Sequence, residues 1–173
     1  MRAYRHLHPE KIEAHPANST RARIGAAQDV IHWSQQTRQC PEADNLITAT
    51  FIVDLEGALW IADRRSEHLA CASGRDVLSA GEITFDLDAQ PVKVVSVTNQ
   101  SLGYCPEPES WPRVAKALES AGIPAPGKFT AEFIFRLCDA CGTTNVVRDH
   151  WFVCAVCGAE LNQRWNFGTE ITD

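Results

Sequence analysis

Cys138-Asp-Ala-Cys141-Gly142-Thr-Thr-Asn-Val-Val-Arg-Asp-His-Trp-Phe-Val-Cys154-Ala-Val-Cys157-Gly158 is a stretch in which one short turn occurs twice. Each Cys-x-x-Cys-Gly puts two thiols three positions apart on a single tight turn, and a second such turn completes a four-thiolate tetrahedron. The glycine after each second cysteine suits a backbone that curls around an ion with φ > 0. The spacing predicts one structural zinc ion held by Cys138, Cys141, Cys154 and Cys157. The twelve residues between the pairs read as a hairpin: 145–148 up, 149–150 at the turn and 151–153 back. His150 then belongs to an exposed turn. The ion contributes folding energy, because so short a module has little core of its own.

Working upstream, Phe133, Phe135 and Leu137 alternate as a strand that runs directly into the first cysteine pair. Before it, 123–127 (Ile-Pro-Ala-Pro-Gly) is a stiff connector. A helix is expected after Ser110, a capping candidate, with Pro112 in its first turn and Gly122 beyond its end. Val114, Ala117, Leu118 and Ala121 would be its buried stripe. Residues 47–55 alternate apolar and polar, the period of a half-buried strand, and 58–62 return after a Glu56-Gly57 turn. A short strand is expected at 67–72, another at 82–87, and a β-branched one from 92 to 98 after turn chemistry at 87–91. Near the N-terminus, Asn18-Ser19-Thr20 offers caps, and Ile24, Ala27 and Ile31 recur at helical spacing, which predicts a helix over 20–38. Residues 1–17, with His6, His8 and His15, read as a solvated arm. The expected fold class is α+β: a mostly antiparallel sheet with two helices and a C-terminal zinc ribbon. Three segments follow: an irregular arm at 1–19, an α+β body at 20–128, and a zinc-ribbon module at 129–173 packed on the body.

The totals exclude several classes. With 173 residues, 45% hydrophobic and 22% charged, the chain has the composition of a globular protein with room for one domain and a small module. The net charge of −6 counts against a nucleic-acid binder, and residues 129–173 alone carry six acidic against three basic side chains. No apolar run approaches the roughly 18 residues of a membrane helix. The N-terminus lacks the apolar centre of a signal peptide, and cysteines in metal spacing suit a reducing compartment. We expect a cytoplasmic, bacterial protein with no membrane partner.

The segment 101–111, Ser-Leu-Gly-Tyr-Cys-Pro-Glu-Pro-Glu-Ser-Trp, has the composition of a shaped loop. Asn99-Gln100-Ser101-Leu102-Gly103-Tyr104-Cys105-Pro106, together with His68-Leu69-Ala70-Cys71 and Ser79-Ala80-Gly81-Glu82, makes the run from Phe51 to about Gly122 resemble a known module. That module occurs in some bacterial toxin-like proteins and in plant calmodulin-binding IQ-motif proteins, where it carries a Ser-Gly-His-Tyr-Arg-Pro loop. The chain as a whole resembles a bacterial protein type that couples such a loop to a C-terminal ribbon. It departs where the loop histidine and arginine would stand, at Gly103 and Cys105. The resemblance implies a site around the loop without naming its chemistry. Candidate catalytic groups are His68 and Glu82 as acid or base and Tyr104 as hydrogen-bond donor. Candidate ligand-binding groups are Ser101, Cys105 and Arg64.

Three function classes remain. The first is a zinc-binding module that recognises a partner protein or small ligand. The second is a transferase or hydrolase with a cleft formed by His68, Glu82 and the Tyr104 loop. The third is a nucleic-acid adaptor acting through the ribbon, which the acidic balance disfavours.

Overall fold

The computed structural model of the protein describes residues 2–7, 21–37, 41 and 43–168. Ala22–Ile24 forms strand β1 and Ala27–Gln36 forms helix α1. One continuous helix over 20–38 was expected, and the structure corrects this. Ala22, Arg23 and Ile24 pair antiparallel with Ile61, Trp60 and Leu59, so this stretch takes its hydrogen bonds from a sheet edge. The helix starts where the Asp29 carboxylate accepts the backbone N–H groups of Gly25 and Ala26 at 2.8 and 2.9 Å. An acceptor reaching back to the first free amides is how a helix N-terminus is satisfied. The caps expected at 18–20 lie outside the described residues.

Leu46–Val53 (β2), Leu59–Asp63 (β3), Ser79–Asp86 (β4) and Lys93–Val97 (β5) complete a five-stranded sheet. Its order is β1-β3-β2-β4-β5, and every neighbouring pair is antiparallel. The alternation along β2 decides its two faces. Ile47, Ala49, Phe51 and Val53 enter the larger core with Val30 and Trp33 of α1. The same core takes Val114, Ala117 and Leu118 from Trp111–Ser120, a second long helix. Ile52 enters a smaller core on the opposite face with Tyr4, Cys71, Val77 and Tyr104. β2 is therefore buried on both sides from Ala49 to Val53.

A strand was expected at 67–72, and the structure has a one-turn helix, α2 (His68–Cys71), making the long helix at 111–120 α3. Cys71 and Ala72 turn inward onto the second sheet face, and Leu69 is buried as well. Ser73 and Gly74 end the turn at φ +51 and +74, and the Gly74 amide donates back to the Leu69 carbonyl at 2.9 Å. At α3, Ser110 does not cap: its hydroxyl pairs with that of Ser79 at 2.9 Å. The chain enters α3 through a 3-10 turn, Pro108–Ser110, and leaves it at Gly122 with φ +64.

Ile134–Leu137 (β6) and Thr144–Val147 (β7) form a separate antiparallel pair. Asp149 and His150, at φ +51 and +56, make the two-residue turn, across which Arg148 and Trp151 bridge. Both central residues at positive φ is the hairpin turn whose twist matches right-twisted strands. His150 is exposed there, as expected.

Residues 2–7, the described part of the expected arm, lie along the body. Tyr4 and Val77 exchange both backbone hydrogen bonds, at 2.7 and 3.0 Å, and the Leu7 amide donates to the Gly103 carbonyl at 2.8 Å. Glu107 ties this strip to the ribbon. Its carboxylate meets the Arg2 guanidinium on one side and Arg136 Nη1 of β6 at 3.0 Å on the other. The Glu107 amide donates to the Tyr4 hydroxyl at 3.2 Å, Tyr4 meets Trp165 edge to face, and Trp165 Nε1 donates to the Cys105 carbonyl at 2.8 Å. Two side-chain amides also grip the first ribbon strand and the residue before it. Asn99 accepts the Phe133 N–H and donates to the Phe133 carbonyl, and Asn166 does the same for Leu137.

Replacing Glu107 by Ala leaves Arg136, only 5% exposed, without its counter-charge. We expect a loss of about 3–5 kcal/mol of unfolding free energy in urea, the cost of orphaning a buried charge. Glu107→Gln should lose less, because its amide oxygen still accepts one guanidinium bond. An Ala variant within about 0.5 kcal/mol of the parent, the usual range of a neutral surface change, would remove Glu107 from this role.

Candidate metal centre

The two cysteine turns are built alike, bond for bond. In the first, the Gly142 amide donates to the Cys138 carbonyl at 2.8 Å and the Cys138 amide to the Thr143 carbonyl at 2.9 Å. In the second, Gly158 donates to Cys154 at 3.0 Å and Cys154 to Ala159 at 2.8 Å. Gly142 and Gly158 take φ +72 and +74, the region that a side chain disfavours. Each turn buries its first cysteine and leaves its second exposed.

The hairpin brings the turns face to face. All four sulfurs lie within 4.8 Å of one another, with Cys138 to Cys157 at 3.6 Å and Cys141 to Cys154 at 3.7 Å. Four sulfurs each about 2.3 Å from one ion sit about 3.8 Å apart at the corners of a tetrahedron. A disulfide needs about 2.0 Å. The donor set and the distances therefore fit a metal ion held by four thiolates.

Electrostatics point the same way. The Cys154 thiol is pulled down to about 6, first by the backbone amides of Cys157 and Val156 aimed at its sulfur. The Cys141 thiol is lowered as well, first by the Thr143 hydroxyl. At Cys157 the Ala159 amide pulls down, but contacts with the thiols of Cys141, Cys138 and Cys154 win and push it up to about 12. Four thiols this close resist ionising together, and a cation among them removes that conflict.

The candidate catalytic residues lie upstream, around the second face of the sheet. His68 Nε2 faces the Gly81 carbonyl at 3.0 Å. A carbonyl can only accept, so this nitrogen carries the proton. Burial pushes the His68 imidazole down to about 4, against the pull of that carbonyl and of Glu67. Glu82 lies beside Arg64, with Oε1 3.9 Å from Nε. The Tyr104 hydroxyl donates to the Arg75 carbonyl at 2.8 Å, and burial raises its pKa. The three candidate catalytic groups thus share a region, and the hydrogen bonds and ion pair described for them run to other groups.

The loop candidates are internal. Ser101 is 1% and Cys105 0% exposed. The Cys105 amide donates to the Ser101 carbonyl at 2.7 Å, and burial raises the Cys105 thiol to about 12. Arg64 is exposed. A Cβ at Gly103 would overlap the imidazole of His6, which fills that space and meets Tyr104 edge to face with ring centroids 5.0 Å apart. His6 was expected in a solvated arm, and it is 7% exposed. His8 and His15 lie outside the described residues.

Sequence reasoning missed Asn145, Arg136 and Glu107. Asn145 had one available signal: an amide in the middle of a strand, where asparagine is disfavoured. A groove of about 530 Å3 opens at the metal-distal end of the ribbon. Phe133, Ile134, Val146 and Val147 contribute apolar lining, with Glu132, Arg148, Asp149 and His150. Trp151, next in the chain, is 72% exposed. No protein-family model, curated protein or solved structure matches the chain.

Two outcomes test this geometry. Cys138→Ser should lose the bound metal and open residues 133–167 to protease, because among the described residues the small core around the cysteine turns is Cys138, Val147, Cys154 and Leu161 with a few partly buried neighbours. Stoichiometric metal and unchanged proteolysis would defeat the assignment. His68 supplies a pH test. Unfolded it titrates near 6.5 and folded near 4, so the unfolded chain binds the extra proton between those values. Stability should therefore fall as pH drops from 6.5 to 4, by up to roughly 3 kcal/mol, and level off below. His68→Gln should flatten that limb in urea titrations, and an unchanged slope would assign it to other groups.

Proposed function

We propose that the protein is a zinc-stapled recognition module whose ribbon docks a partner protein. Zinc is the ion that four thiolates in paired Cys-x-x-Cys turns favour, and with all four positions taken by protein its role is structural. The observation that carries the binding reading is the ribbon surface. A groove with apolar lining adjoins Trp151, and Val153 and Val156 further along the hairpin are 39% and 70% exposed. Apolar surface gathered beside a groove marks an interaction site where single scattered residues would not, and aromatic anchors that a partner can bury are what interface hot spots are made of. The charged rim, with both signs present, would set register. The four-thiolate site fixes the hairpin, so the groove is formed before a partner arrives and association avoids the entropy of ordering it.

The enzymatic alternative rests on His68, Glu82 and Tyr104 acting together, and the separate bonds made by each favour packing roles. Recognition by a rigid surface needs no such convergence.

Panning a displayed peptide library on the zinc-loaded protein tests this. Enriched peptides should bind the parent and lose at least tenfold in affinity to Trp151→Ala, with a smaller loss to Arg148→Ala. Peptides that bind both variants as tightly as the parent, or no enrichment at all, would reject the ribbon as the docking surface.

A further inference from the structure

Asn145 is the buried polar residue of β7, 7% exposed, and it stands between the two cysteine turns. Its carboxamide is fully engaged. Nδ2 donates to the Thr143 carbonyl at 2.9 Å and to Cys154 Sγ at 3.5 Å, and Oδ1 accepts the Ala155 amide at 3.0 Å. Thr143 closes the first turn, while Cys154 and Ala155 open the second. One side chain therefore spans both halves of the metal centre across the chain excursion that separates them.

We propose that Asn145 is a positioning residue of the metal centre. It locks the two cysteine turns in register ahead of the ion, and it holds the Cys154 sulfur by an N–H···S bond. Burying an unpaired amide is costly, and asparagine is disfavoured inside strands, so a hydrophobic residue would suit β7 better on packing grounds alone. The three bonds account for the amide. A donor aimed at a thiolate is a charge-assisted bond that steadies the anion and orients its lone pairs, and such outer contacts set metal affinity nearly as much as the ligands do. Asn166 provides the comparison. It also uses both ends of its amide, on Leu137 N–H and C=O, and reaches the Asp139 carboxylate, but its bonds run to backbone and carboxylate.

The inference rests on the metal reading above, and the test separates the two. Zinc affinity is measured by competition with a chromophoric chelator, and cobalt is loaded in place of zinc to read the thiolate-to-metal charge-transfer band. The parent protein should bind one ion. Asn145→Ala should weaken zinc about 10–100-fold and shift the cobalt band. Asn145→Asp keeps the acceptor for Ala155 but sets a carboxylate against the sulfur, and it should lose at least as much. Asn166→Ala should leave the cobalt band in place. A parent protein that binds neither ion overturns the metal reading and the inference with it. A parent that binds, with both Asn145 variants matching it in affinity and spectrum, overturns the inference alone, as does an Asn166 variant that shifts the band equally. Should the alanine variant fail to fold, the isosteric aspartate variant decides by the same two readings.

Discussion

A carboxylate between two guanidinium groups holds the parts of this protein in one arrangement. Glu107 takes Arg2 from the N-terminal strip and Arg136 from the ribbon, while its own backbone belongs to the loop that leads into α3. The Arg136 guanidinium also donates to the carbonyls of Phe135, Asn162 and Gln163, so the buried cation is satisfied on several sides. Such clusters are not reliable sources of net stability, because removing charges from water costs about as much as their attraction returns. What they supply is geometry. A guanidinium with fixed donor directions accepts few arrangements, and three segments far apart in sequence must all be in place for this one. The ribbon is thereby joined to the body by a contact that cannot slide as an apolar contact can.

How much of this could be read from the chain follows the range of the interactions. The cysteine turns were legible because each is a local object: two ligands and a glycine within five residues. β2 was legible by its alternation, though not that both of its faces are covered, since Ile52 meets Tyr4 and Cys71, and the Thr50 hydroxyl the carbonyls of Arg64 and Ser66, only in three dimensions. The stripe at Ile24, Ala27 and Ile31 fits a helix, and it fits a strand followed by a helix equally well. A free edge on β3 decided between them, and no local signal reports such an edge. A single turn such as His68–Cys71 is too short to display a period at all. His6 against Gly103, and Arg136 against Glu107, are matches between distant residues, and neither partner is unusual by itself.

The candidate groups on the second sheet face show the same limit. His68, Tyr104, Ser101 and Cys105 are residue types that do chemistry elsewhere, and the chain places them around one region. Here His68 and Tyr104 donate to backbone carbonyls, and burial makes the His68 proton harder to gain and the Tyr104 and Cys105 protons harder to lose. At the cysteines the same physical terms act with the opposite result. Backbone amides turned toward sulfur favour the anion, and the crowding of sulfurs calls for a cation.

The paired amides of Asn99 and Asn166 have a consequence for how the protein behaves in a crowd. A two-stranded ribbon offers an outer row of backbone groups to any passing extended chain, and such rows template sheet growth between molecules. Here Asn99 occupies the N–H and carbonyl of Phe133, and Asn166 those of Leu137, at the two ends of the row. Arg136 takes the carbonyl of Phe135 between them. Most of the outward-facing backbone groups of β6 are thereby engaged by the protein's own side chains. Along β6, a neighbouring chain meets backbone groups already bonded, beside a hairpin that exposes Trp151 and Val156.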